Sequence, residues 1–285
     1  MVISGSEFLE LASEDKNTSF LGVIGNPISH SRSPELHSFI YSELDLKAKY
    51  FALSFETDDS LLNFLEESEK LPNNPGFNIT IPFKETVFRK FNSPQLQTIG
   101  AVNTLVKSDG KFLGNNTDWI GFVDPIRQLS IKSAVILGWG GAAKGVVFGL
   151  RSVWPECKIT IISRKKHDNL PGINWVLSDY SDLNQAIIPT DLIVNSTPLG
   201  MKGKQDNFSD HFLSRLPETN FAYDIIYTPA ETRFLTFFKS KSVPVQNGLA
   251  MFIGQALAAH EFWFGHLAPQ RKKDLSNSLA KLLQP

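Results

Sequence analysis

The feature that most constrains the fold is a glycine-rich turn between a short apolar run and a helical segment. The apolar run, residues 134–137, is followed at once by Gly138, and small residues recur at Gly140 and Ala143. In the pattern G-x-G-x-x-G/A the first glycine permits a tight turn, the second lets a pyrophosphate approach the backbone, and the third small residue lets the helix pack on the strand. The turn therefore predicts a dinucleotide site at a helix N-terminus. Its predicted cofactor-binding residues are Gly138, Gly140, Gly141, Ala142 and Ala143.

The end of the next strand indicates which dinucleotide is bound. Residues 158–163 are predicted to be that strand, and Ser163 is followed by Arg164, Lys165 and Lys166. A site for NAD usually has an acidic residue here, whereas the guanidinium of Arg164 can bind a 2′-phosphate in a bidentate fork. The sequence therefore favours NADP, with Ser163, Arg164 and Lys165 as candidate contacts. The alternative is a solvated basic loop without a ligand.

Segments typical of strands alternate with helical segments along the whole chain. This alternation predicts an α/β fold with a doubly wound parallel sheet in the second half. The first half has one antiparallel feature, because Asp109 and Gly110 form a hairpin-turn dipeptide. The predicted strands are 20–25, 49–55, 77–82, 101–107, 111–114, 134–137, 158–163, 175–177, 191–195, 222–226 and 243–245. The predicted helices are 34–44, 58–68, 84–91, 118–129, one after the glycine turn, 249–264 and 269–283.

The composition is that of a globular protein without affinity for polyanions. Hydrophobic residues make up 42% and charged residues 20% of the 285 residues, and the formal net charge is −1, so no overall field attracts nucleic acid or an acidic membrane. The single cysteine, Cys157, excludes an intrachain disulfide, and no residues have the spacing of zinc ligands. No segment is typical of a signal peptide or a membrane span. We therefore expect a cytoplasmic protein with no metal, membrane or nucleic-acid partner.

Residues 77–84 combine an apolar face with a row of polar side chains. Strand side chains alternate in direction, so the two sets should lie on opposite faces. The apolar set is Phe77, Ile79, Ile81 and Phe83, and the polar set is Asn78, Thr80, Pro82 and Lys84. An amide, a hydroxyl and an amine on one face are suited to holding a polyhydroxylated molecule and moving a proton. The simpler alternative is a half-exposed strand with a wet outer face.

Three other polar segments stand at or near the ends of apolar runs. They are residues 29–34, 100–105 and 114–118. In open α/β sheets, ligands bind outside the carboxyl ends of the strands. These segments are therefore candidates for the ligand site.

Together, these segments resemble those of the shikimate dehydrogenase family, in the family's order and along almost the full chain. The matching segments are GNPISHSRSP at 25–34, NITIPFK at 78–84, GAVNT at 100–104, NTD at 116–118, GWGGA at 138–142, NSTPLGM at 195–201 and NGLAMFIGQ at 247–255. The resemblance implies reduction of 3-dehydroshikimate to shikimate with NADPH, the fourth step of the pathway to chorismate and the aromatic amino acids.

The resemblance also implies roles for individual residues. The residues implied for substrate binding are Ser31 and Ser33 at the carboxylate, and Asn78, Thr80, Lys84, Asn103, Asp118 and Gln255 around the ring. Lys84 and Asp118 are implied as the catalytic pair, and Thr197 and Gly248 as further contacts of the cofactor.

Ketone reduction gives a chemical reason for a lysine and an aspartate. A proton must reach the developing alkoxide, and Lys84 can supply it while its charge stabilises the oxyanion. Asp118 can orient the lysine and hold a substrate hydroxyl. The sequence leaves open which of the two is the formal proton carrier, and we favour Lys84.

Several of these residues also have a purely structural interpretation. Ser33 and Asp118 could be helix N-caps, which both residue types favour. Lys84 could be an exposed lysine in a first helical turn, and Gln255 could face solvent.

The domain organisation follows from the resemblance. We predict a substrate-binding domain of residues 1–117 plus 250–285 and a Rossmann-like NADP-binding domain of residues 118–249. The C-terminal helices return to the first domain because Gln255 must reach the substrate. The sequence does not decide between a monomer and a homodimer.

Two other functions fit parts of this pattern. A quinate/shikimate dehydrogenase would accept a broader range of substrates or NAD, although the presence of Ser31 and Ser33 favours shikimate. A catalytically silent NADP-binding sensor would not need Lys84 and Asp118. The sequence departs from the family at Trp139, which often is smaller, and at Trp119 and Asn247, where many members have Gly and Asp.

Overall fold

A computed structural model describes residues 1–91, 96–97, 99–165, 172–183, 187–203 and 208–284. The chain forms two compact units. Unit 1 comprises Met1–Asp118 and Ile253–Leu283, and unit 2 comprises Trp119–Phe252. The first boundary lies one residue, and the second three residues, from the predicted domain boundaries. Both units have strands and helices in alternation, which confirms the predicted α/β class.

The secondary structure of the described residues runs in the following order. The first part contains β1 (Val2–Ile3), α1 (Gly5–Glu14), β2 (Ser19–Ile24), α2 (Ser33–Glu43), β3 (Ala48–Leu53), α3 (Asp58–Glu69), β4 (Gly76–Ile79), α4 (Lys84–Phe91), β5 (Thr104–Ser108) and β6 (Lys111–Asn115). Next come α5 (Asp118–Val123), a 3-10 helix (Asp124–Ile126), β7 (Ser133–Leu137), α6 (Gly141–Val153), β8 (Lys158–Ser163), β9 (Ile173–Leu177), β10 (Thr190–Asn195), α7 (Asp210–Arg215), β11 (Thr219–Asp224), α8 (Arg233–Ser240) and β12 (Val245–Gln246). The last helices are α9 (Leu249–Phe264) and α10 (Pro269–Leu283).

The sheet of unit 1 places the polar segments at one edge. Its strand order is β1-β3-β2-β4-β5-β6, with β1 to β4 parallel and β5 and β6 antiparallel to their neighbours. From β2 the chain moves first to β3 on one side and later to β4 on the other. The carboxyl ends of β2 and β4 therefore form a topological switch point, which is where open α/β sheets bind ligands. Ser31 and Ser33 follow β2, and Thr80 and Lys84 follow β4.

Phenylalanine rings fill the core of unit 1. Phe8 of α1 is fully buried, and its ring centroid lies 6.0 Å from that of Phe20 and 5.3 Å from that of Phe77. Helix α1 was not predicted, although Ser4 and Glu7 have the spacing of a capping box. The Ser4 hydroxyl accepts a hydrogen bond from the Glu7 N–H at 3.2 Å, so this signal could have located the helix.

Unit 2 has the doubly wound sheet that the glycine turn predicts. All its strands are parallel, in the order β12-β11-β10-β7-β8-β9. The order reverses between β7 and β10, so the crevice at this point lies beside the turn that follows Leu137. Two buried apolar clusters pack against the sheet, one of which includes residues of α6.

The strand predicted at residues 77–82 is shorter and more deeply buried than expected. It ends at Ile79, and a turn with a cis peptide bond between Ile81 and Pro82 follows. Because the alternation ends there, Ile81 is 74% exposed instead of packing with Phe77. Asn78, predicted on a wet face, is buried, because β4 lies in the middle of the sheet between β2 and β5.

Two further differences concern helices. The helix predicted at residues 118–129 ends as an α-helix at Val123, since Pro125 lacks the N–H that would continue it, and a 3-10 turn follows. The short helices α7 and α8 were not predicted, although Ser209 and Thr232 cap them with their hydroxyls.

Candidate active site

A lysine and an aspartate form a close, largely buried ion pair in unit 1. Lys84 is the first residue of α4, and Asp118 is the first residue of α5. The Lys84 Nζ donates to Asp118 Oδ2 at 2.6 Å, and the two side chains are 18% and 11% exposed. Lys84 is thus not an exposed first-turn lysine, and the Asp118 carboxylate binds side chains of its neighbours. The structure brings the two predicted catalytic residues together.

Asn103 holds the other oxygen of the Asp118 carboxylate. Its Nδ2 donates to Asp118 Oδ1 at 2.7 Å and to Thr117 Oγ1 at 3.0 Å. Its Oδ1 accepts from the N–H of Thr117 at 2.7 Å. The N–H of Asp118 itself donates to Asn116 Oδ1 at 3.0 Å. Both carboxylate oxygens therefore face donors in fixed positions.

The end of β4 supplies the next two predicted substrate residues. The Oδ1 of Asn78 accepts from the Tyr50 hydroxyl at 2.6 Å and has a second lone pair that can accept from a ligand. Thr80, just beyond the strand, is partly exposed. A Cβ on Gly25 would lie 2.4 Å from the Thr80 methyl, so residue 25 must be glycine for the segments after β2 and β4 to pack together.

Ser31 and Ser33 lie at the N-terminus of α2. The Ser31 Oγ accepts from the N–H of Ser33 at 3.3 Å. The N-cap is Arg32, whose side chain makes no capping hydrogen bond, and Ser33 is the first helical residue. The alternative in which Ser33 is the N-cap is therefore wrong. A helix N-terminus at which the N-cap residue makes no capping hydrogen bond, flanked by two hydroxyls, favours an anionic group such as a carboxylate.

Gln255 lies on α9, in the part of that helix that belongs to unit 1. Its side chain is partly buried and does not simply face solvent. On the same helix, the indole N–H of Trp263 donates to the Leu105 carbonyl at 2.9 Å. This bond fixes α9 to β5, the strand that follows Asn103.

The glycine turn of unit 2 fits a dinucleotide. Gly138 has φ +96°, and a Cβ there would lie 2.9 Å from the Thr197 methyl, so both the backbone conformation and the packing favour glycine. At Gly140, the N-cap of α6, a Cβ would meet nothing within 4 Å, so no packing among the described residues explains the glycine. Open space over the backbone at a helix N-terminus is what a pyrophosphate requires. Ala143 is fully buried, as the third position of the pattern requires, and the first turn also presents the small residues Gly141 and Ala142.

The predicted 2′-phosphate residues form a turn at the end of β8. Ser163 is buried, and its hydroxyl donates to the Lys165 carbonyl at 2.5 Å. Arg164 and Lys165 are exposed on this turn. Lys166 lies outside the described residues.

A buried carboxylate shapes the loop beside the glycine turn. Asp224, at the end of β11, accepts from Asn195 Nδ2 at 3.1 Å and from the Thr232 hydroxyl at 2.6 Å. Burial raises the pKa of Asp224 to about 6, although these hydrogen bonds act to lower it. The Oδ1 of Asn195 in turn accepts from the Thr197 hydroxyl at 2.7 Å. Thr197 therefore maintains the loop that packs on Gly138.

Gly248 and Trp139 have packing roles in unit 2. A Cβ on Gly248 would lie 1.9 Å from the Ile225 carbonyl oxygen, so the backbone contact alone requires glycine. The Trp139 ring contacts the Trp175 ring edge to face, with centroids 5.5 Å apart. Trp139 thus packs beside the turn against the core of its own unit.

Sequence reasoning missed Tyr50 and Asp224, which hold predicted site residues in place. Both have apolar neighbours in the sequence, since Phe51 and Ala52 follow Tyr50, and Ile225 and Ile226 follow Asp224. Since buried polar groups are nearly always hydrogen-bonded, that position predicts that each has a partner. It does not say which partner, because the partners lie 28 or 29 residues away in the sequence or across a loop.

Other features of the described residues bear on the kind of site. They contain no group of three or more His, Cys, Asp or Glu residues arranged to hold a metal ion. None of their helices combines the length and apolar character needed to cross a membrane. Cys157 is buried, which raises the pKa of its thiol to about 12.

Comparison with known proteins agrees with this geometry. Residues 23–105 match the family described as the shikimate dehydrogenase substrate binding domain. The chain is 38% identical over 265 residues to the shikimate dehydrogenase (NADP(+)) of Prochlorococcus marinus strain MIT 9515, an alignment that covers 87% of this chain and 92% of the relative.

Solved structures show the same similarity. The shikimate 5-dehydrogenase of Thermus thermophilus, in complex with NADP(H) and shikimate, superposes with a TM-score of 0.76 at 30% identity, covering 92% of this chain and all of that one. The 5-ketofructose reductase of Gluconobacter sp. strain CHM43 has a TM-score of 0.78 over 93% of this chain and 99% of its own, but at 23% identity it shows a shared fold alone. On the identity and coverage of the first two relatives, this chain belongs to the shikimate dehydrogenase family.

Proposed function

We propose that the chain is an NADP-dependent shikimate dehydrogenase that reversibly reduces 3-dehydroshikimate to shikimate. The observation that supports this most directly is the Lys84–Asp118 pair, held by Asn103 beside the switch point of the unit 1 sheet. Relatives of at least 30% identity that span most of the chain are named shikimate dehydrogenase (NADP(+)).

The chemistry assigned to the pair is the delivery of a proton. When bound, NADPH supplies the hydride that adds to the ketone carbon. The carbonyl oxygen then takes a proton from Lys84 Nζ, whose positive charge stabilises the oxyanion as it forms. Asp118 keeps the ammonium group in place through the 2.6 Å contact. In the direction of oxidation, the same lysine nitrogen accepts the hydroxyl proton.

The remaining polar residues of unit 1 are assigned to binding the substrate. Ser31 and Ser33, with the N-terminus of α2, bind the carboxylate. Thr80, Gln255 and Asn78 bind ring hydroxyls or the carboxylate, and Asn103 and Asp118 bind the ring near the reacting carbon.

Unit 2 is assigned to the cofactor. Its pyrophosphate binds at Gly138, Gly140, Gly141 and the N-terminus of α6, with Ala142 and Ala143 in the first turn. Arg164, with Ser163 and Lys165 shaping its turn, binds the 2′-phosphate. Thr197 and Gly248 support the cofactor site through their backbone positions. Unit 1 is then the substrate-binding domain and unit 2 the NADP-binding domain.

A cytoplasmic location is part of the proposal. It is supported by the lack of an intrachain disulfide and by a reaction that draws on NADPH, and cell fractionation tests it. The assembly is a monomer or a homodimer, which light scattering of the purified protein distinguishes.

The proposed function is tested by absorbance at the nicotinamide band. Purified protein is mixed with shikimate or quinate, each with NADP⁺ or NAD⁺. We expect rapid reduction of NADP⁺ with shikimate and little change in the other three mixtures. Comparable rates with quinate or NAD⁺ would identify a broader quinate/shikimate dehydrogenase. A folded protein that binds NADP⁺ without turnover would instead be a sensor.

A further inference from the structure

A tyrosine behind the ion pair begins a chain of hydrogen bonds that ends at Asp118. Tyr50 lies on β3 and is buried, with its ring stacked on His37 at a centroid distance of 4.2 Å. Its hydroxyl donates to Asn78 Oδ1 at 2.6 Å. Burial raises the pKa of Tyr50 well above its usual value, so the hydroxyl keeps its proton and acts as a donor.

The Tyr50 hydroxyl and the acceptors on the other side of Asn78 together set the orientation of its amide. Since Oδ1 faces Tyr50, Nδ2 must face the opposite side, where it donates to the Asn103 carbonyl at 3.3 Å and to Thr104 Oγ1 at 3.1 Å. An amide rotated by half a turn would place its N–H groups against the tyrosine hydroxyl and its oxygen against a carbonyl oxygen. The Asn103 carbonyl can only accept and thus excludes the rotated amide, and the Tyr50 hydroxyl stabilises the remaining orientation by donating to Oδ1.

The orientation of the Asn78 amide also affects that of the Asn103 amide. Because Thr104 Oγ1 accepts from Asn78, its own proton is directed to Asn103 Oδ1 at 2.9 Å. The N–H of Thr117 donates to the same oxygen at 2.7 Å. With Oδ1 facing two donors, the Nδ2 of Asn103 is directed to Asp118 Oδ1.

We propose that Tyr50 is a positioning residue for the Lys84–Asp118 pair, acting through Asn78, Thr104 and Asn103. This inference rests on the proposed dehydrogenase function. Tyr50 is not assigned any contact with the substrate. Its hydroxyl stabilises the orientation of Asn78 from which the chain continues to Asn103, so that the Asp118 carboxylate, held by Asn103, keeps Lys84 at the reacting oxygen.

A second buried tyrosine provides a matched control. Tyr41 of α2 contacts the same histidine, with its ring 5.8 Å from that of His37, and is also buried. Its hydroxyl has no hydrogen-bond partner among the described residues. Tyr50→Phe and Tyr41→Phe therefore remove the same atom from neighbouring buried rings, but only the first interrupts the chain of hydrogen bonds.

The test compares the kinetics of the two variants with those of the wild type. We expect Tyr50→Phe to lower kcat for shikimate oxidation roughly tenfold, because a buried carbonyl oxygen loses its donor. The KM for NADP⁺ should remain within about twofold, since the chain lies within unit 1. Tyr41→Phe should stay within about twofold of the wild type in both constants. An unchanged kcat in Tyr50→Phe, or an equal loss in both variants, would overturn the inference.

A spectroscopic readout separates this inference from the proposed function. In nitrogen–proton correlation spectra, the side-chain amide signal of Asn103 should shift in Tyr50→Phe and not in Tyr41→Phe. If the wild type turned over no shikimate, the proposed function would fail, whereas a shift at Asn103 would still support orientation by Tyr50. A change confined to Asn78 would contradict it.

Discussion

At the scale of single residues, the two oxygens of Asp118 have different partners. Oδ2 accepts from Lys84, and Oδ1 accepts from Asn103. Loss of the lysine therefore leaves the carboxylate in place, whereas loss of the carboxylate leaves the lysine without its counter-ion. Substitutions of these two residues should therefore have different effects on kcat and KM.

Replacing Lys84 should remove catalysis while retaining substrate binding. We expect Lys84→Met to lower kcat by a factor of about 10² to 10⁴ with a smaller change in the KM for shikimate, because proton delivery is lost but Asp118 stays in place. Asp118→Asn should lower kcat by a similar factor and also raise KM. Steady-state kinetics measures both constants. Lys90→Met, on the exposed end of the same helix, serves as the control and should behave as the wild type.

The two glycines of the turn should respond differently to alanine. Gly138→Ala should lower the free energy of unfolding by about 1–2 kcal/mol, because the φ of +96° is left-handed. Gly140→Ala should leave stability unchanged and weaken NADP⁺ binding roughly tenfold, because its Cβ occupies open space at the helix N-terminus. Urea unfolding and calorimetric titration separate the two effects. Normal NADP⁺ binding by Gly140→Ala would contradict the assigned pyrophosphate site.

At the scale of elements, some strand ends could be predicted from the sequence and others could not. The strand β7 and its glycine turn were predictable because sequence pattern and fold coincide over a few adjacent residues. The end of β4 was not, because the turn at Ile81 and Pro82 breaks an alternation that continues in the sequence. The ion pair joins residues 34 positions apart, so the segments were recognisable from the sequence, but their contacts depend on the sheet order.

The end of β8 should set the preference for NADP⁺. Arg164→Ala should raise the KM for NADP⁺ by roughly 10- to 100-fold, since a hydrogen bond to a charged group contributes about 1.5–3 kcal/mol. The KM for NAD⁺ should hardly change, because that cofactor has no 2′-phosphate. Lys158→Ala, at the opposite end of the same strand, is the control for the loss of a positive charge. Equal effects on both cofactors would show that Arg164 does not recognise the phosphate.

At the scale of the whole molecule, each unit contains buried titratable groups, and those of unit 1 change stability with pH in the opposite direction to that of unit 2. In unit 1, burial lowers the pKa of His37 to about 3 and that of His260 to about 4. In unit 2, burial raises the pKa of Asp224 to about 6. The folded state therefore excludes a proton at the histidines and retains one at the aspartate.

Acid should destabilise the protein through the buried histidines. The unfolded histidine takes up its proton as pH falls below about 6.5, whereas folded His260 does so only near 4. Its contribution to stability is complete above pH 6.5 and is lost as pH falls towards 4, by about 2 kcal/mol between pH 7 and pH 5. Urea midpoints should show a smaller decline for His260→Gln than for the wild type. His30→Gln, at an exposed position, should retain the full decline.

Asp224 should have the opposite effect on stability, which it should lower as the pH rises. Its raised pKa stabilises the folded state below the unfolded value near 3.8, and this contribution is lost as pH rises through about 6. The stability of Asp224→Asn relative to the wild type should therefore increase by about 2 kcal/mol between pH 4 and pH 7. The exposed Asp109→Asn provides the comparison, and an equal trend in both variants would exclude Asp224 as the source.

The hydrogen bond from Trp263 to Leu105 also bears on how the protein is made. It joins residues 158 positions apart, and the strands of that sheet all precede residue 116. On the ribosome, the whole of Trp119–Phe252 therefore emerges before the helices that unit 1 still lacks. The sheet of unit 1 must wait for helices that are translated after unit 2, so a nascent chain can complete unit 2 while unit 1 still lacks part of its fold.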